Sequence, residues 1–203
     1  MTTTAQESFS ILHSIRIKGL ATDPVLAAMV GLTPEELRSQ LEPLVADHLV
    51  VRKEGRLSGT MLTPVGKEKH AELLASAAPG PAVGEFYEAF LPLNGSFKRV
   101  CNAWQMRDET TPNDHADADY DSGVIDDLAV VHEEIAEALK PVGAEDSRMA
   151  LYEPRLTAAL ERIRGGDRGA FARPMNDSYH DIWMELHQDL LMVLGRERGE
   201  GDE

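Results

Sequence analysis

The chain is 203 residues long, 42% hydrophobic and formally charged -15. That composition excludes a disordered chain, no run of 18 apolar residues is present to form a transmembrane helix, and a single cysteine excludes an internal disulfide. The opening stretch "MTTTAQESFS" lacks a basic segment followed by an apolar one, so no secretory signal is expected and a cytoplasmic location is predicted, with no membrane partner.

In chain order, "ESFSILHSIRIKGLA" places Phe9, Leu12, Ile15 and also Ile11 on one helical face, with Gly19 as the stop. "TDPVLAAMVG" predicts a second helix capped by Thr22 or Asp23, with Pro24 in its first turn and Gly31 closing it. "LTPEELRSQLEPLVADHLV" predicts a third. Thr33 caps it, Pro34 sits at its first position, and Glu36 completes a capping box. Leu37, Leu41, Leu44 and Val45 form its expected buried stripe, and Pro43 is expected to bend it. Next come a short strand in "HLVVRKE", a glycine-bearing turn "GRLSG", and a second strand "TMLT". A fourth helix starts with Thr63 as cap and Pro64 in its first turn.

Charge is uneven along the chain. Residues 1–78 hold 8 Lys/Arg against 9 Asp/Glu, while residues 79–203 hold 12 against 26. The uncharged, proline-bearing "SAAPGPAVG" (Ser76 to Gly84) marks a linker or helix break near this change. The expected domains are therefore residues 1–78 and an acidic helical half, residues 79–203. There is no internal repeat.

The stretches "LVADHLVVRKEGRLSG" and "LTPVGKEKHAELL", in this order after two short helices, resemble the winged helix-turn-helix of the MarR superfamily over roughly residues 8–76. The resemblance implies a recognition helix followed by a β wing, and double-stranded DNA as the partner. The expected DNA-binding residues are Thr33, Arg38, Ser39 and Gln40 on the helix and Arg52, Lys53 and Arg56 on the wing. Arg52, Lys53, Arg56, Lys67 and Lys69 face only Glu54 and Glu68 between residues 51 and 70, a local net of +3. Phosphate binding depends on such local charge rather than on the sign of the whole chain. Against DNA stand Glu35, Glu36 and Glu42 on the third helix. They favour an alternative, a non-DNA-binding adaptor using the same module for protein contact.

Beyond the linker the periodicity is helical, predicting a bundle of four or five helices. "GEFYEAFLPLNGSFKRVCNAWQMRDE" is expected to kink or split at Pro92 and Asn94–Gly95. "SGVIDDLAVVHEEIAEALKPV" buries Val124, Leu128, Val131, Ile135 and Leu139. "SRMALYEPRLTAALERIRGG" ends at Gly165–Gly166, and "NDSYHDIWMELHQDLLMVLGRERG" carries Ile182, Trp183, Leu186, Leu190 and Leu194. The tail "RGEGDE" is expected to fray. The predicted fold is mainly α, a winged helix-turn-helix with a two-stranded wing followed by an all-helical bundle.

The stretches "NAWQMRD", "NDHADADYD" and "DSYHDIWMELHQDLLMVLG" resemble the helical C-terminal half of actinobacterial proteins labelled winged-helix or MarR-type regulators. Asp117, Asp119 and Asp121 have the alternating spacing of a calcium loop, but Ser122 replaces its glycine and Leu128 its closing glutamate. The stretch reads instead as a loop capping a helix that starts near Ser122, or as one lining a ligand site. His180, Trp183 and His187 share one side of the last helix. They suit core packing or, with His115, a ligand pocket. No metal and no cofactor is predicted. Cys101 is a small core residue or a redox-sensitive thiol. Without Walker, dinucleotide, H-E-x-x-H or nucleophile-elbow motifs, no enzyme is expected. The expectation is a regulator acting as a homodimer, with broad stripes including Leu186, Leu190, Leu191 and Leu194 for the partner subunit. Its helical half would sense a small-molecule effector.

Overall fold

A computed structural model describes residues 3–197; the "RGEGDE" tail lies outside them. The protein is mainly helical with one small antiparallel sheet, and it divides into two compact units, Met1–Pro79 and Gly80–Glu203. Among the described residues no helix is long and apolar enough to cross a membrane.

The first unit runs α1 (Thr3–Lys18), α2 (Asp23–Val30), α3 (Pro34–Ala46), β1 (Val50–Lys53), β2 (Gly59–Leu62) and α4 (Pro64–Ser76). Its boundaries follow local chemistry. Gly31 closes α2, its N–H bonded to the Ala27 carbonyl. At the start of α3 the Thr33 hydroxyl accepts from the Glu36 N–H, while the Glu36 carboxylate accepts from the Thr33 N–H at 2.8 Å. This reciprocal pair satisfies two donors that a helix start leaves open. Thr63 caps α4 in the same way through the Gly66 N–H, and its own hydroxyl donates to the His48 carbonyl at 2.6 Å. Gly66 has a packing reason as well: a Cβ there would lie 1.9 Å from the Leu49 carbonyl oxygen.

Phe9, Ile11, Leu12 and Ile15 of α1 are buried, as are Leu37, Leu41 and Leu44 of α3. Burial of each leucine contributes about 1.5–3 kcal/mol. Val45 differs from expectation. It is 38% exposed, because Leu44, one residue away and about 100° around the helix, takes the core position. Pro43 lacks the N–H that would bond the Ser39 carbonyl, yet α3 continues through it to Ala46. In the sheet, Val50 faces Leu62 and Arg52 faces Thr60. Ala21 adds a third ply: its N–H donates to the Thr60 carbonyl at 3.0 Å and its carbonyl accepts from the Thr60 N–H at 2.8 Å. The preceding residue, Gly59, keeps this approach open, since a Cβ there would lie 2.7 Å from the Ala21 oxygen.

The second unit holds α5 (Pro81–Gln105), α6 (Ala118–Glu145), a 3-10 turn (Met149–Leu151), α7 (Tyr152–Arg164), a short α8 (Gly169–Ala172) and α9 (Tyr179–Leu194). Three expectations are corrected here. The predicted linker is overlong, because α5 already begins at Pro81 and only Ala77–Gly80 lies between helices. The helix α5 is not split: it runs through Pro92 and Asn94–Gly95. Pro92 is exposed, as is Glu88, whose carbonyl it leaves without a helical donor and open to water. Phe90 and Phe97, buried on either side, hold the helix to the core. Pro141 is likewise exposed and lies inside α6. Finally, α6 starts at Ala118 rather than near Ser122, because Asp117 caps it through the Tyr120 N–H at 3.1 Å.

The core of this unit is aromatic. Phe97 stacks on Trp183 at 4.4 Å, Phe90 lies 5.2 Å from Trp183, and Trp104 stacks on Phe171 at 4.3 Å. The Trp183 indole N–H donates to the buried Asn94 side chain at 3.0 Å.

Candidate nucleic-acid interface

The hairpin of β1 and β2 exposes Arg52, Lys53 and Arg56. Val50 and Leu62 point into the core of the first unit, so strand alternation turns Lys53 to water; Arg52 shares the Val50 face yet is exposed, and Arg56 stands in the turn. Of the five cations between residues 51 and 70, two are engaged. Arg52 donates to Asp23 at 2.6 Å, and Lys69 pairs with Glu72 at 3.1 Å. Lys53, Arg56 and Lys67 are exposed and form no ion pair among the described residues. Exposed Leu57 sits beside Arg56 in the turn.

On α3, Arg38 and Ser39 are exposed and Gln40 is half-buried. Glu35, Glu36 and Glu42 are exposed on the same helix. Thr33 is taken up by its cap: its N–H and its hydroxyl both donate to the Glu36 carboxylate, at 2.8 and 2.7 Å. These bonds hold the Glu36 carboxyl below the usual range. Thr33 therefore fixes the start of α3, while of the residues expected to contact DNA on that helix Arg38 and Ser39 are exposed to a partner. Asp23, the partner of Arg52, is a residue the sequence reading placed only as a cap. Its pairing joins positions 29 apart and leaves no local signal.

In the second unit the residues expected to share a pocket are placed in two regions. His115 packs on Trp104 at 4.4 Å. Both N–H groups of the Asn113 amide are used, by the Trp104 carbonyl at 3.1 Å and by Asp121 at 2.9 Å, so the His115 Nδ1 carries a proton and donates to Asp121 at 3.1 Å. Burial alone would raise the Asp121 carboxyl, but the hydrogen bonds from Asn113 and His115 outweigh it and hold the group low. Arg168 donates to the His115 carbonyl at 2.9 Å. The loop is thus a knit clasp, continued by the Met106–Pro112 bridge. Its acids serve as cap and acceptors, with Asp117 also paired to Arg107 at 2.8 Å.

Trp183 and His187 are in the core. Trp183 is fully buried and His187 lies against Phe90 at 5.1 Å. His180 is half-buried beside Phe97, and burial lowers its pKa. Phe97 is about two helical turns before Trp104 on α5. The His180–His187 stripe and the His115 clasp thus pack on different stretches of that helix. Leu186, Leu190 and Leu191 are buried within their own unit and offer no bare stripe to a partner; Leu194 is half-buried. A cleft of about 350 Å³ lies instead at the end of α5, lined by Arg99, Asn102, Met106, Arg107 and Tyr120 among others. Cys101 is half-buried, and burial pushes its thiol up to about 12, away from the thiolate form. Among the described residues no group of three or more His, Cys, Asp or Glu side chains is placed to hold a metal ion.

Sequence reasoning missed a buried ionic network. Arg155 donates to Glu185 and to Asp177, each at 2.7 Å. Arg148 pairs with Asp146 at 2.7 Å and with Asp189 at 3.2 Å, and the Tyr152 hydroxyl donates to Asp189 at 3.0 Å. A second chain runs through His132. Thr157 gives its one hydroxyl proton to Glu153 at 2.9 Å, so His132 Nε2–H donates to Thr157 and Nδ1 accepts from the Tyr179 hydroxyl at 3.3 Å.

No family model matches this chain, no curated protein matches it, and no solved structure matches it.

Proposed function

We propose that the protein is a cytoplasmic, DNA-binding transcriptional regulator whose first unit is a winged helix of the MarR-like kind. The observation that carries this reading is the hairpin directly after α3, exposing Lys53 and Arg56 without ion-pair partners among the described residues, in a chain of net charge -15. Cations already paired with carboxylates gain little from a phosphate, whereas unpaired exposed cations release counterions on binding. The element order α1–α2–α3–β1–β2–α4, with Ala21 strapped to Thr60, supports the winged-helix assignment. In this reading α3 presents Arg38 and Ser39 to base edges and the hairpin follows the backbone. The acidic second unit is repelled by the duplex and so lowers non-specific affinity.

The functional species is a homodimer, because one such module makes few base contacts and two half-sites supply the rest. Light scattering of the purified protein would return the mass of two chains, and a monomer with and without DNA would remove this part. A small-molecule effector would act through the second unit. The cleft at the end of α5, rather than the buried His180–His187 stripe, is a candidate opening for it.

A second reading, a protein-binding adaptor, is favoured by the exposed Glu35, Glu36 and Glu42 together with exposed Val45 and Val51. The deciding experiment is titration of a labelled random duplex across salt. A regulator binds it with a log–log slope of several units, and an adaptor shows no salt-dependent binding.

A further inference from the structure

We infer that Asp23 is an internal competitor for DNA phosphate, holding Arg52 and thereby setting how tightly the hairpin binds. This rests on the reading of the hairpin as a DNA contact and specifies how that contact is regulated.

The geometry is built rather than incidental. Arg52 faces Thr60 in the hairpin register, and Thr60 is bridged on its other side to Ala21. Residues directly opposite one another in a sheet project to the same face. The Arg52 side chain therefore starts on the face where Ala21 delivers the chain into α2, two residues before Asp23. The Ala21–Thr60 bridge fixes that crossing, and the guanidinium meets the Asp23 carboxylate at 2.6 Å. Asp23 is the first residue of α2, where the open N–H groups of a helix favour an anion. The carboxylate thus stands where an oxygen of a DNA phosphate would be held by Arg52 and the start of α2. Both side chains remain partly exposed, at 45% for Arg52 and 36% for Asp23, so a phosphate can reach the pair. Lys53 and Arg56 have no such competitor among the described residues. Arg52 is the wing cation whose contribution depends on displacing a carboxylate.

The test uses the full-length protein and a labelled random duplex titrated across salt, with wild type, Asp23→Asn, Arg52→Ala, the double variant and Arg56→Ala. Asp23→Asn should bind roughly fivefold tighter near 0.1 M salt, with a log–log slope steeper by about one unit, because one more cation meets phosphate. Arg52→Ala should abolish that gain in the double variant. If Asp23→Asn binds equally or more weakly while Arg56→Ala still flattens the slope, DNA binding stands and Asp23 only braces Arg52; the inference is then overturned. If no form binds the duplex in a salt-dependent way, the DNA reading and this inference fall together. Melting temperatures of all variants show whether any loss reflects unfolding.

Discussion

Arg56 of the first unit and Arg155 of the second are used in opposite ways. On the hairpin, Arg56 stands in water with no ion pair among the described residues. In the helical unit, Arg155 is almost wholly buried and divides one guanidinium nitrogen between Glu185 and Asp177. Arg148 is likewise held between Asp146 and Asp189. An exposed pair contributes about 0–1 kcal/mol and exchanges readily. A buried pair adds little net stability compared with an apolar replacement, but breaking it leaves a charge without water. Arg56 is therefore available to a partner, whereas Arg148 and Arg155 are committed to internal structure.

The largest effect should come from removing one side of the buried network. Arg155→Ala would take the guanidinium away from the buried Glu185 carboxylate and lower the stability of the helical unit by about 3–5 kcal/mol in denaturant unfolding. Replacing Arg155 and Glu185 together by apolar residues should recover much of this. If the single change costs no more than a surface substitution, the network is not desolvated and the contrast between the units fails. A smaller loss is expected for Asn94→Leu, which leaves the buried Trp183 N–H without its acceptor. It should cost about 1–3 kcal/mol, read as a lower midpoint with an unchanged denaturant slope.

A weaker, pH-dependent effect follows from His132 and His180. Burial depresses both imidazoles, with Glu153 and Glu133 opposing and Arg164 adding to the effect at His132, and Asp181 opposing it at His180. A folded pKa below the unfolded value means that the unfolded chain binds more protons. The stabilisation is present above about pH 6.5 and is lost as the pH falls from there through the folded pKa. His132→Gln should flatten the decline in melting temperature over that acid range, and an unchanged decline would show that His132 does not contribute to it.

The contrast also explains what could be read from the sequence. In the first unit the determinants are local: Thr33 and Glu36 lie three residues apart, and so do Thr63 and Gly66. Helix starts and the hairpin were therefore legible, with Val45 misplaced by one position around the helix. In the second unit the decisive contacts are distant. Arg155 and Glu185 are 30 residues apart, and Asn94 and Trp183 are 89. Glu185 and Asp189 look like interruptions of an apolar face until their partners are in place. Pro92 looked like a break because the sequence does not show that it falls on an exposed side of a helix held by its buried side. Of the candidate interface, the exposed cations were legible, while the Asp23 pairing of Arg52 depended on a strand bridge that no local pattern announces.

The central claim is that the unpaired hairpin cations are what DNA binds. Its most direct test is the salt dependence of duplex binding by wild type and by Lys53→Ala/Arg56→Ala, measured on random sequences. The account predicts weaker binding at every sequence and a log–log slope flatter by about two units, one for each lost phosphate contact. Equal affinity and an unchanged slope in the double variant would contradict it.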